Sequence, residues 1–145
     1  MATVNAYINF KGNCEEAFNY YKSVFGKEFS MLNRFSEMPP QEGMELSEKD
    51  MNKIMHVSMP ISDETMLMGS DVGGEWAPDL TVGNNITLSI TADNKEQADY
   101  LLNSLSAGGK VTMPMDNTFW GSYFGMCTDK FDINWMISFG QAPKE

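Results

Sequence analysis

Apolar and polar positions alternate from Val4 to Phe10, then recur at helical spacing through Ala17, Phe18, Tyr21, Val24 and Phe25. The same two rhythms return about 80 residues later, with alternation over Ile86 to Thr91 and a stripe of Ala98, Leu101, Leu102 and Leu105. A period of two marks a strand with one covered face, and apolar residues one, four, seven and eight positions apart line one side of a helix. Each helix is expected to open on a cap, Asn13-Cys14-Glu15-Glu16 in the first copy and Asp93-Asn94-Lys95-Glu96 in the second. There an Asn or Asp side chain accepts from a first-turn N–H and a Glu reaches back. Gly26 and Gly108-Gly109 close the helices, and two such units in register are a repeat.

Further strands are predicted after each helix: Phe29 to Phe35, Ile54 to Pro60 and Thr65 to Ser70, then Lys110 to Pro114, Trp120 to Cys127 and Ile133 to Phe139. The order strand, helix, three strands, written twice, implies an α+β fold. Its expected form is paired βαβββ modules making a mostly antiparallel eight-stranded sheet around a cavity, with the helices on the outside. The modules are 1-72 and 86-139 within a single domain spanning 1-145. Between strands, Ser36 to Lys53 carries Pro39-Pro40, Gly43, five acids and two lysines, a surface excursion whose length suits a flap near a pocket. Asp71 to Asn85 reads as the linker between modules, with Trp76 expected to pack against the body.

Alternation also divides each strand into two faces. One set is apolar and expected to be core: Val4, Ala6, Ile8 and Phe10; Met55, Val57 and Met59; Ile86, Leu88 and Ile90; Ile133, Trp135, Ile137 and Phe139. The opposite set is mixed and able to hydrogen-bond: Asn5, Tyr7 and Asn9; Ile54, His56 and Ser58; Thr87, Ser89 and Thr91; Asn134, Met136 and Ser138. A solvent-facing sheet would show more Lys and Glu there; apolar walls with a few polar anchors fit a ligand cavity.

Charge narrows the partners. Twenty Asp and Glu face ten Lys and Arg, for a net charge of −10 and a pI near 4.4, which argues against nucleic acid. Cys14 and Cys127 have no C-x-x-C spacing, so neither a disulfide framework nor a zinc knuckle is supported, and both are expected to be free thiols in a reducing cytoplasm. With no apolar run near the roughly 20 residues of a membrane span and no secretory leader pattern, a soluble cytoplasmic protein is expected.

Two stretches carry a family resemblance. Tyr7-Ile8-Asn9-Phe10-Lys11-Gly12-Asn13-Cys14-Glu15-Glu16-Ala17, with Tyr20-Tyr21-Lys22-Ser23-Val24-Phe25-Gly26, resembles the opening of PhnB-like proteins of the vicinal oxygen chelate superfamily. So do Thr118-Phe119-Trp120-Gly121, Phe124-Gly125 and Thr128-Asp129-Lys130-Phe131-Asp132-Ile133-Asn134-Trp135-Met136-Ile137. The likeness covers almost the whole chain. It departs at Asp132, where a glycine is usual, although Asp tolerates a left-handed turn better than most residues.

The resemblance implies a glyoxalase-like domain of paired βαβββ modules, commonly homodimeric. The superfamily includes glyoxalase I, extradiol dioxygenases, fosfomycin resistance enzymes, bleomycin resistance proteins and metal-free binding proteins. Its enzymes usually hold a divalent metal through His, Glu or Gln on inward strand faces. Aligned on Asp129, the late-strand Glu falls at Met136, and the other ligand positions fall at Ala6 or Tyr7, Met66 and Met68, and Thr87 or Ser89. Met is a poor ligand for hard divalent ions and none of these positions offers a carboxylate or an imidazole, so no metal site and no cofactor are expected.

The single histidine, His56, is the candidate catalytic residue, as a general base or anion anchor. Tyr7, Asn9, Ser58, Met68, Ser89, Trp120, Phe124 and Met136 are candidate ligand-binding residues: hydroxyl and amide anchors, adaptable thioethers, and aromatic faces for a planar ligand. The leading expectation is a homodimeric small-molecule binding protein, and the alternative is a metal-dependent lyase or dioxygenase of glyoxalase type using His56. A methyltransferase is disfavoured, because no glycine-rich loop leads from a strand into a helix to cradle S-adenosylmethionine.

Overall fold

The computed structural model describes residues 2–37, 47–72 and 80–140. Two compact units, Met1–Thr81 and Val82–Glu145, each carry one strand-helix-three-strand module. In the first, β1 (Ala6–Phe10), α1 (Cys14–Phe25), β2 (Met31–Arg34), β3 (Ile54–Pro60) and β4 (Met66–Asp71) follow in order. The sheet runs β1-β4-β3-β2, parallel only where β1 meets β4. A 3₁₀ turn at Phe35–Glu37 and a short helix α2 (Glu48–Met51) lie between β2 and β3. The second module repeats the plan with β5 (Leu88–Thr91), α3 (Lys95–Ser106), β6 (Lys110–Asn117), β7 (Tyr123–Thr128) and β8 (Asn134–Phe139). Its order is β5-β8-β7-β6, with β5 and β8 parallel. The eight predicted strands therefore form two four-stranded, mostly antiparallel sheets.

Each helix covers one face of its own sheet. α1 lies on β3 and β4, while α3 lies on β6, β7 and β8. Phe18 and Tyr21 are fully buried under α1, and Phe18 sits where a Cβ on Gly69 would be, 2.6 Å from its ring. Phe18→Ala would remove the side chain that fills this space, at about 3–5 kcal/mol. Ala98, Leu101, Leu102 and Leu105 form the matching buried stripe of α3.

The helix starts differ from the expected boxes. Asn13 makes no side-chain cap bond; instead Asp71 Oδ1 accepts from the Gly12 and Cys14 N–H groups at 3.0 and 2.9 Å. Its Oδ2 takes the Ile54 N–H at 2.9 Å, so one buried carboxylate joins the end of β4, the start of α1 and the start of β3. In α3 the cap is Asn94, accepting from Gln97 N at 2.7 Å. Gln97, one residue later than the expected Glu96, reaches back to Asp93 N at 2.6 Å. Gly26 closes α1 in the left-handed conformation, its N–H bonded to Lys22 O.

Two expected core residues, and one expected on the open face, are placed otherwise. Val4 is 93% and Ile86 73% exposed, because strand pairing and helix cover begin two residues later, at Ala6 and Leu88. Ile54 is buried although alternation put it on the open face. Asn33 pairs with His56 but Arg34 pairs with Ile54, so Met55 is an extra bulged residue that turns Ile54 inward. Of the segment 36–53, the described part is the 3₁₀ turn and α2, capped by Ser47. Half of the expected flap falls on 38–46, and Trp76 on 73–79, outside the described residues.

Candidate functional site

The face of each sheet away from its helix is polar and sulfur-rich, as alternation predicts. On the first sheet Met31, Ser58, Met68 and Tyr7 stand in one row across β2, β3, β4 and β1. Asn33 and His56 lie in the next row, as do Ser70 and Asn9. The Tyr7 hydroxyl is 3.4 Å from His56 Nδ1, with ring centroids 5.7 Å apart and tilted by 31°. Ser70 Oγ donates to Asn9 Oδ1 at 3.3 Å, and Ser58 is buried with its hydroxyl 2.8 Å from that of Ser30. Five of the candidate residues, Tyr7, Asn9, His56, Ser58 and Met68, thus share one face. Asn5 is taken up structurally, accepting from Met66 N at 3.0 Å.

On the second sheet Ser89, Met136, Met126 and Met113 form the corresponding row across β5, β8, β7 and β6. Beside it Phe124 pairs with Ser138, and the Trp120 ring meets Phe124 edge-on at 6.0 Å. Trp120 lies in the turn before β7 and not in the strand. Phe119, in the same turn, is 98% exposed. Tyr123 points to the helix side, its hydroxyl donating to Asp99 on α3 at 2.6 Å, a bond that raises its pKa.

The same face holds a concavity of about 810 Å³ lined by Thr87, Lys110, Thr112, Met126, Thr128 and Asn134, with Val82 to Asn84, Cys127 and Asp132 completing it. Lys110 pairs with Thr128 and Thr128 with Asn134, so ammonium, hydroxyl and amide form a polar row, while Met126 supplies an apolar wall. Thr128 Oγ1 donates to Asn134 Oδ1 at 2.8 Å, and Asn134 Nδ2 donates to Ile86 O at 3.4 Å. Lys110, Thr112, Met126 and Thr128 were not among the sequence candidates. Extending the alternation of Phe124 through Met126 to Thr128, and of Lys110 to Thr112, is the signal that finds them.

The turn carrying Asp132 is held from below. Asp129, buried, accepts from Phe131 N at 2.8 Å, from Ile133 N at 3.1 Å and from Trp135 Nε1 at 2.8 Å. Asp132 adopts φ 68°, so the residue replacing the usual glycine occupies the left-handed region.

Donor chemistry on these faces does not fit a hard divalent ion. Beside a phenol, amides, hydroxyls and thioethers they offer one imidazole, on the first sheet, and at the concavity the Asp132 carboxylate with Lys110, short of the three or four convergent ligands a catalytic metal needs. Among the described residues no group of three or more His, Cys, Asp or Glu converges on a common point. The two thiols are buried. Burial, then the Asp71 and Glu15 carboxylates, raises the Cys14 thiol far above its ordinary range. Burial, then Asp129, pushes Cys127 up to about 11. Neither has the thiolate character a nucleophile needs.

The model of the 3-demethylubiquinone-9 3-methyltransferase family matches residues 2–138. The chain belongs to this family. Its relatives include protein YjdN of Escherichia coli K12, 30% identical over an alignment of 141 positions that covers 93% of each chain. Protein PA1353 of Pseudomonas aeruginosa superposes with a TM-score of 0.83 at 33% identity, covering 97% of this chain and 99% of that one. The PhnB protein of Bacillus cereus follows at 0.70 and 22%, covering 96% and 100%. In fold alone the likeness extends to a glyoxalase/bleomycin resistance/dioxygenase family enzyme of Burkholderia phytofirmans, with TM-score 0.61, identity 15% and coverage 94% and 98%. The PhnB-like, glyoxalase-type fold expected from the two motifs is therefore the fold of this chain. No helix among the described residues is long and apolar enough to cross a membrane.

Proposed function

We propose that this family member binds a small molecule on the open face of its second sheet, without a catalytic divalent metal. The observation that carries this reading is the concavity itself: about 810 Å³, in the range of small-molecule sites, with a polar row set against an apolar wall. The test is a fragment screen by ligand-observed NMR on protein of measured metal content. Binding that survives chelator treatment and is weakened by Met126→Ala supports the reading. About one tightly held metal per chain, or a screen without binders, defeats it.

The homodimer, the cytoplasmic setting and the absence of nucleic-acid and membrane partners belong to the same proposal. A net charge of −10 supports the exclusion of nucleic acid, and light scattering tests the dimer. The family's name describes a methyltransferase. Among the described residues no glycine-rich strand-to-helix loop is present to hold S-adenosylmethionine, and that cofactor is expected to leave the melting temperature unchanged.

A second reading rests on the Tyr7 hydroxyl beside His56 Nδ1. It makes His56 an acid–base group of a lyase or dioxygenase, with Tyr7 orienting it. Loss of a detected turnover in His56→Ala would favour it, and unchanged turnover would remove it.

A further inference from the structure

We propose that the concavity of the second sheet takes a small monocarboxylate bearing a hydroxyl group and an apolar substituent, with Lys110 as its counter-ion. This deepens the binding reading above and rests on it. Nine lysines and one arginine serve a chain of net charge −10, and several of them are committed. Arg34 holds Glu15, Lys22 and Lys53 hold Glu28 and Asp50, and Lys95 and Lys130 lie over the Tyr123 and Phe131 rings. The Lys110 side chain has no ion pair, hydrogen bond or ring contact among the described residues, yet it lines the concavity. In so acidic a chain, an uncommitted ammonium at the end of a polar row is a place for an anion from outside.

The rest of the row defines what the anion carries. Thr128 spends its proton on Asn134 Oδ1, which leaves the Thr128 oxygen to accept from a ligand O–H. Asn134 Nδ2 gives one N–H to Ile86 O and keeps a second for a ligand oxygen. The Thr112 and Thr87 hydroxyls, on the same lining, can complete the hydrogen bonds of a carboxylate that Lys110 neutralises. Met126, between the Thr128 row and the Phe124 row, faces the remaining substituent with a flexible thioether. Asp132 also lines the concavity, and its carboxylate opposes a second negative charge, so a monoanion is favoured over a dianion or a phosphate monoester.

The experiment compares matched probes, mandelate with mandelamide and 2-hydroxyisocaproate with its primary amide, by chemical-shift titration of the full chain. Each acid is expected to bind about tenfold tighter than its amide or better. Lys110→Gln should erase that preference, bringing the acid down to the affinity of its amide, with the melting curve showing that the variant is folded. In the unmodified protein the preference should shrink as salt is raised, which serves as the check if the variant does not fold. Equal binding of acid and amide, or a preference retained in Lys110→Gln, overturns the carboxylate assignment and leaves the binding reading standing. If neither acids nor amides shift Thr128 and Asn134 at millimolar concentration, while another fragment does, only the carboxylate assignment fails. If no fragment of any class does, the binding reading fails with it.

Discussion

Met68 and Met136 occupy the same position in the two modules. Met68 lies opposite Tyr7 on its parallel neighbour and opposite Ser58 on its antiparallel one; Met136 lies opposite Ser89 and Met126 in the same way. The offset between equivalent residues is 82 for the first two strands of a module, as in Met31 and Met113, and 68 for the last two. The difference of 14 is the length by which the connection 35–53 exceeds its counterpart 118–122. The repeat is thus kept in register on both sheets while one connection has grown. What distinguishes the modules is chemistry on matched positions: a phenol and an imidazole on the first open face, a lysine and hydroxyls on the second.

Asp71 is the junction on which the first module closes. It is 3% exposed and receives three backbone N–H groups. Asp71→Ala leaves those donors buried without partners and is expected to cost about 3 kcal/mol or more, lowering the melting temperature by roughly 10 °C. Thermal denaturation followed by circular dichroism measures this, and a change within error would show that water replaces the carboxylate.

The Glu15–Arg34 pair should show itself through pH. Hydrogen bonding to the Arg34 guanidinium, at 2.6 and 3.1 Å, holds the Glu15 carboxyl below its ordinary value. A folded pKa lower than the unfolded one means stability present above the ordinary glutamate range and lost as pH falls through the depressed value. Both side chains are partly exposed, so the contribution is under about 1 kcal/mol. Urea denaturation of wild type and Glu15→Gln should differ at neutral pH and converge in acid; a gap that widens in acid contradicts the assignment.

Both thiols should be silent in the native protein. Cys14 and Cys127 are buried with raised pKa values, so a disulfide reagent at pH 8 is expected to label neither until denaturant is added, when both react. A rapid native phase of one thiol would show that a path to solvent opens.

Two glycines test how close approach differs between backbone and side chain. A Cβ on Gly109 would fall 2.1 Å from the Thr128 carbonyl oxygen, whereas one on Gly125 would meet chiefly the Met115 thioether at 2.5 Å. Gly109→Ala must move backbone and should cost at least about 2 kcal/mol, while Gly125→Ala can be eased by rotating Met115 and should cost about 1 kcal/mol. Comparable melting temperatures for the two variants would refute the distinction.

What the sequence determined by itself is what periodicity encodes. The two helices, their buried stripes, the eight strands and the assignment of Tyr7, His56, Ser89 and Met136 to faces away from the helices all follow from spacings of 3.6 and 2.0. The motifs around Asn13 and Asp129 carried the family, because each is a contiguous stretch of sequence. Tertiary structure decided what depends on partners distant in sequence. Asp71 caps α1 from 57 residues away, which the chain around Asn13 cannot announce. The bulge at Met55 turns Ile54 inward because β2 pairs out of step there, and strand pairing begins only past Val4 and Ile86. The concavity is likewise non-local: Lys110, Thr128 and Asn134 come together only through the register of β6, β7 and β8. Register depends on the long-range fit of whole faces, and no short stretch of residues contains it.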